Sequence, residues 1–298
     1  MRWRGRRQSA NVEDRRGRGG FPTGFGRGGR IAVGRAGRGG IGIGGLIVLV
    51  VLMLVFGINP IQLLEEAGPV VSTDRRGPSD ERTARSDEMR DFVAVVLAET
   101  EDVWNRIFAE AGQQYREPTL VLFSGQVRSA CGFASAASGP FYCPSDERLY
   151  IDLAFYEELR RRFQAPGDFA QAYVIAHEVG HHVQNLLGVM PEVHRRQQAL
   201  PEREANQLSI RLELQADCLA GVWANRTERR GLLEEGDIDE ALNAAAQIGD
   251  DMIQRRTQGY VVPEAFNHGS AEQRRDWLQR GMQAGSLEAC DTFGAPRV

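Results

Sequence analysis

The 298-residue chain predicts an α+β fold, a mainly helical domain with a small β-sheet, preceded by one transmembrane helix. Three observations carry this reading. Apolar residues recur at helical spacing through much of the chain after residue 86. Residues 119–123 and 148–153 stand out as short strands. Residues 41–58 form an apolar run with no charge, ahead of both.

Residues 1–40 hold eleven Arg against Glu13 and Asp14, in a stretch of Arg and Gly with almost no aliphatic residues. Such a segment buries too little apolar surface to fold, so it reads as a disordered tail. The net charge of -4 therefore hides an acidic remainder. The run at 41–58 is about the minimum that spans a bilayer as a helix, and it lacks the polar face of a core helix. Asn59-Pro60-Ile61-Gln62 behind it offers no small-x-small cleavage pattern, which favours an uncleaved anchor over residues 41–60. Arg before this anchor and Glu65-Glu66 after it place the N-terminus in the cytoplasm and the C-terminal domain outside. RNA binding by the tail ranks below a topogenic or anionic-lipid role, because Trp3, Phe21 and Phe25 are its only aromatics.

Residues 61–86, polar with Pro and Gly, read as a linker to a domain over 87–298. A helix is expected from Ser86 or Asp87, with Phe92, Val95, Val96, Val103, Trp104, Ile107 and Phe108 near helical spacing. The two strands follow, separated by a Gly- and Ser-rich loop. After Pro166-Gly167, Asp168 can cap a helix that reaches Leu187 and is ended by Gly188. Pro191 or Pro201 opens another, continuing to about Asn225. Residues 237–257 and 271–284 complete the helices.

Cys131 and Cys143 lie twelve apart, a comfortable spacing for a closed loop, and Cys218 and Cys290 remain. An oxidising compartment permits two bridges in any of three connectivities. The absence of a C-x-x-C spacing argues against a Cys-type zinc site.

The chemistry is concentrated in Ala176-His177-Glu178-Val179-Gly180-His181-His182. Positions i and i+4 of a helix lie about 40° apart, so His177 and His181 project side by side. Their ring nitrogens can reach one Zn²⁺ at about 2.0–2.1 Å. Zinc lowers the pKa of a bound water to about 7, and Glu178 can take that proton and deliver it to a leaving amine. A catalytic zinc also needs a third protein ligand. The segment Glu213-Leu214-Gln215-Ala216-Asp217 offers two carboxylates at i and i+4: Glu213 as ligand, and Asp217 as acceptor for the second ring N–H of a ligating His. Taken alone, that segment is also an ordinary acidic helix face.

His182 is turned about 100° from His181 and suits packing or hydrogen bonding. His194, in a polar stretch, suits solvent. His268 lies in Phe266-Asn267-His268-Gly269-Ser270, before a helix carrying Arg274 and Arg275. It can stabilise an oxyanion or belong to a plain capping turn.

These residues, with Met1-Arg-Trp-Arg-Gly-Arg-Arg7, Asn11-Val-Glu-Asp-Arg15, Gly139-Pro-Phe-Tyr-Cys-Pro144 and Leu212-Glu-Leu-Gln-Ala-Asp-Cys218, resemble the bacterial family of putative neutral zinc metallopeptidases. More distantly the chain is similar to the gluzincins, including the membrane-bound prenyl-protein and stress-response zinc peptidases. The resemblance implies a zincin-like metallopeptidase domain, zinc as cofactor and a peptide or protein as substrate. It makes Glu213 the third zinc ligand and Asp217 the support of a ligand His. Gly269 stands where the stress-response members have Pro in a His-Pro-Ser segment. By the same similarity Tyr150-Ile151-Asp152 is the candidate edge strand that aligns an extended peptide, with an ordinary inner strand as the alternative. The rival reading is a non-catalytic extracytoplasmic module that keeps zinc as a fold staple. Glu178 argues against it, since a structural metal has no need of a general base.

Overall fold

The apolar repeat at 92–108 forms one long helix, α1 (Pro78–Glu110), which starts ahead of the expected Ser86. A computed structural model describes residues 1–17, 78–296 and 298, with side chains from Arg85 onward in the second stretch. The middle of α1 is buried on every face: Phe92 to Ala98 are followed by Glu99, Thr100 and Glu101, all within 3 % exposure. A helix passing through the core has no polar side left to present, so its buried acids need partners. Arg230 forms an ion pair with Glu99 at 2.8 Å, and Arg7 donates to Glu101 at 3.0 Å.

The sheet has four strands, β1 (Val12–Asp14), β2 (Thr119–Phe123), β5 (Phe141–Cys143) and β6 (Arg148–Asp152), in the order β1-β2-β6-β5. The first three are parallel and β5 runs antiparallel to β6. Alternation divides their side chains between two faces. Leu120, Leu122, Leu149 and Ile151 face the main helical core. Val121, Phe123 and Tyr150 face Val127 of a hairpin, β3 (Gln126–Ser129) and β4 (Gly132–Ser135), which covers the other side. The strands expected at 119–123 and 148–153, the second ending at Asp152, are therefore inner strands buried on both faces, as parallel pairing requires. Tyr150-Ile151-Asp152 is not an edge; among the described strands the edges are β1 and β5.

After the short α2 (Ala154–Arg161) come α3 (Asp168–Leu186), α4 (Val189–Gln197), α5 (Glu202–Arg229), α6 (Asp237–Gln247), α7 (Asp250–Gln258) and α8 (Ala271–Ala284). Pro191 and Pro201 thus mark two separate helices, and α5 outlasts the expected Asn225. The single helix expected over 237–257 is broken at Ile248 and Gly249, where Gly249 is extended (φ -66°, ψ 146°) and lies so close to the Ala271 backbone that a Cβ would collide. Helix α8 has the expected bounds. Ser270 and Gln273 close a capping box at its start, and left-handed Gly285 (φ 63°) ends it. Helices α5 and α8 meet backbone to backbone, Gly221 against Leu278 and Gly281 against Cys218, where side chains would not fit.

The disulfides are Cys131–Cys143, joining the hairpin to β5, and Cys218–Cys290, joining α5 to the C-terminal segment. The second closes a loop of 72 residues, worth about 4 kcal/mol in the chain-entropy account. Cys218→Ser with Cys290→Ser is expected to lower unfolding free energy by that order, read by denaturant titration against the oxidised protein.

Two expectations about the N-terminal part need correction. Residues 1–17 are not a disordered tail. Trp3 packs edge-on against Phe92 with ring centroids 5.4 Å apart, and β1 pairs with β2 through Val12↔Leu120, Glu13↔Val121 and Asp14↔Leu122. The Arg count misled because these Arg are neutralised by acids remote in sequence, as with Arg7 and Glu101. The preceding transmembrane helix is also not shown. Among the described residues no helix is long and apolar enough to cross a membrane. The expected anchor at 41–60 lies outside the described residues, as do residues 18–40 and 61–77.

Candidate metal centre

Helix α3 buries both His177 and His181 because its apolar residues, Tyr173, Val174, Ile175, Ala176, Val179 and Val183, leave hardly any face exposed. Helix α5 lies against it, and the contact is made possible by Gly180. A Cβ there would stand 2.9 Å from the Ala216 carbonyl oxygen. This approach brings Glu213 within reach of both imidazoles. Gly180→Ala is expected to push α5 away at a cost of about 1–3 kcal/mol and to weaken zinc binding, measured together by thermal unfolding with and without metal.

His177 Nε2 stands 3.2 Å from Glu213 Oε2, and His181 Nε2 stands 3.5 Å from Glu213 Oε1. One potential ligand atom from each of the three residues can be chosen so that all lie within 4.8 Å of one another. Two ligand atoms bound tetrahedrally at about 2.0–2.1 Å are themselves roughly 3.3 Å apart. The two separations, each to a different oxygen of Glu213, lie near that spacing, and two nitrogens with one carboxylate are a donor set suited to zinc.

The remaining ring nitrogens are engaged behind the site. His177 Nδ1 donates to Asp217 Oδ1 at 2.8 Å, and His181 Nδ1 to Gln184 Oε1 at 2.9 Å. Gln184 in turn donates to the Leu212 carbonyl at 2.6 Å. These bonds aim each Nε2 at the shared point, the usual way a ligating His is oriented. Asp217, wholly buried, also accepts from Tyr173 Oη (2.6 Å), Arg274 Nε (2.8 Å) and Arg274 Nη2 (3.0 Å). Tyr173, Gln184 and Arg274 were not legible as site residues. Tyr173 and Gln184 sit at i−4 from His177 and i+3 from His181, a spacing that offers a signal. Arg274 lies 57 positions from Asp217 and offers none.

Burial alone would raise the Asp217 pKa, but the Arg274 and His177 charges hold it down at about 2. Burial would lower that of His177; the Asp217 charge and hydrogen bond, with Glu213, overcome it and push it up to about 10. Glu178 is raised, chiefly by burial. In the metal-free protein the raised His177 pKa contributes stability that is full below the unfolded value of about 6.5 and lost as pH rises through about 10. Zinc must displace that proton. Zinc affinity is therefore expected to rise about tenfold per pH unit between pH 7 and 9, with one proton released per ion, measured by calorimetry in buffers of different ionisation enthalpy.

The three ligand candidates and Glu178 open on a cavity of about 580 Å³. One wall includes Gly139 to Tyr142, leading into and along β5; His268 and His194 also line it. His268 Nδ1 donates to Asp250 Oδ1 at 3.1 Å, while Asp250 Oδ2 accepts the backbone N–H groups of Asn267, His268 and Gly269. The turn is thus wound around Asp250, and the cap proper is Ser270. His194 is exposed but reaches the cavity, which its polar neighbours did not indicate. His182 does pack and bond: its Nε2 donates to the Arg116 carbonyl at 2.6 Å and its Nδ1 accepts from Tyr142 of β5 at 3.0 Å. A second acidic cluster, Asp168, Asp237 and Glu240, surrounds the Met1 α-amino group, which lies 2.6 Å from Asp168 and 3.2 Å from Asp237.

Residues 1–293 match the model of a family described as "Putative neutral zinc metallopeptidase". The chain is 47 % identical over 296 residues to the "Uncharacterized protein YpfJ" of Escherichia coli (strain K12), covering 99 % of both chains. It is 47 % identical over 192 residues to the "Uncharacterized protein Rv2575" of Mycobacterium tuberculosis (strain ATCC 25618 / H37Rv), covering 61 % of this chain and 64 % of that one. No solved structure matches.

Proposed function

We propose that this chain, which belongs to the putative neutral zinc metallopeptidase family, hydrolyses peptide bonds at the centre formed by His177, His181 and Glu213. The observation that carries the reading is the convergence of their three ligand atoms, with Glu178 beside them on a cavity open to substrate. Zinc bound there supplies a Lewis acid that polarises the scissile carbonyl and activates water at neutral pH.

The chain's own residues do the rest. His177, His181 and Glu213 hold the metal, with Asp217 and Gln184 fixing the imidazoles through Nδ1. Glu178 accepts the proton of the attacking water on a carboxylate oxygen and passes it to the leaving amine nitrogen. His268, held by Asp250, donates a hydrogen bond to the oxygen that gains negative charge as the carbonyl is attacked. An extended peptide adds to β5, whose one paired neighbour among the described residues is β6. That geometry replaces the Tyr150-Ile151-Asp152 edge and suits cleavage within a chain.

Two disulfides favour an oxidising, extracytoplasmic setting for the body. The reading is tested by metal analysis of the purified chain. One equivalent of zinc is expected in the wild type, with loss from His181→Ala and Glu213→Ala. Full retention of zinc by both variants would sink it.

A further inference from the structure

We infer that residues 1–17 occupy the same compartment as the body formed by residues 85–298. The inference does not depend on the enzymatic reading. It rests on how completely the arm is built into the body.

The arm is continuous with the fold at three levels. Its backbone extends the sheet: the amide of Leu120 donates to the Asn11 carbonyl and the amide of Arg15 to the Leu122 carbonyl, both at 2.8 Å. Ser9 N donates to the Ala94 carbonyl in the middle of α1 at 2.9 Å. Its apolar residues enter the core, where Trp3 is 9 % exposed and packed on Phe92. Its charged side chains reach the body: half-exposed Arg7 meets buried Glu101, itself 1 % exposed, and Arg16 donates to the Ser86 carbonyl at 2.9 Å.

Remove the arm and β2 becomes an open edge, with its outer backbone groups unpaired. Glu101 would lose the cation facing it, and a buried charge without a partner is strongly destabilising. The body therefore requires the arm on its own side of any bilayer. A single crossing by the apolar run at 41–58 would separate them. Such a crossing and this sheet exclude each other within one chain.

The test uses the full-length chain in intact cells. All four native cysteines are disulfide-bonded, so one introduced thiol is the reactive one. Gln8→Cys probes the arm and Arg229→Cys the end of α5, both at exposed positions. A membrane-impermeant maleimide is applied before and after lysis. The same pattern at both sites, either both labelled in intact cells or both only after lysis, is expected. Labelling of one in intact cells and of the other only after lysis would overturn the inference. Ala10→Cys and Glu228→Cys, also exposed, replace either probe that fails to accumulate.

Discussion

Glu178→Gln is expected to lower kcat/KM for peptide hydrolysis by about 10²–10⁴-fold, the range contributed by a positioned general base. Glutamine keeps the shape and the neighbours but has no carboxylate to accept a proton. Glu178 is 7 % exposed and lies between His177 and His181, the two ligand candidates, in sequence, so the substitution leaves a neutral, similar-sized group in the same place. Zinc content should be unchanged, because Glu178 is not among the three converging ligands. The separation of the two readouts is what identifies a base. Equal loss of zinc and activity would instead mark Glu178 as a support of the metal.

Arg274→Met is expected to have the largest effect on stability. Arg274 is 4 % exposed and grips both oxygens of Asp217, which is wholly buried. Removing one partner of such a pair costs about 3–5 kcal/mol, because the other charge stays buried. Tyr173 Oη and His177 Nδ1 still donate to Asp217, but neither replaces the fixed cation. The carboxylate then competes for the His177 proton, and zinc affinity should fall by about 10–100-fold, as when other groups behind metal ligands are altered. Arg274→Lys should restore charge but not the two-pronged contact, and so recover only part. Asp217→Asn combined with Arg274→Met removes both charges and should regain most of the stability without regaining zinc affinity. Unfolding curves of the metal-free variants and chelator competition give the two numbers. Additive losses in the double variant would contradict the coupling.

The parts of this molecule that were legible are those set by local chemistry. Helix α8 announces itself through Ser270, Gln273 and Gly285, which cap it at both ends. His177, Glu178 and His181 share one helix, and Glu213 and Asp217 share another, so their facing follows from the helical repeat. What was not legible depends on contacts between distant residues. The break at Gly249 falls where α8 passes close by, and the 237–257 periodicity gives no sign of it. The N-terminal arm has a tail's composition, yet three residues of strand and a few ion pairs with α1 fold it. Arg274 completes the Asp217 cluster from a helix whose own pattern gives no reason to look there. The edge strand was misplaced for the same cause: β5 is only three residues long, and a Cys143–Cys131 bridge helps to position it.

The most direct measurement is hydrolysis of a broad peptide library by the purified full-length chain, with zinc determined on the same sample. One equivalent of zinc should accompany cleavage that stops on chelation, returns with added zinc and is lost in Glu178→Gln. A protein that holds its zinc and cleaves nothing in the library, or that cleaves equally well as Glu178→Gln, would contradict the account and leave the metal a structural staple.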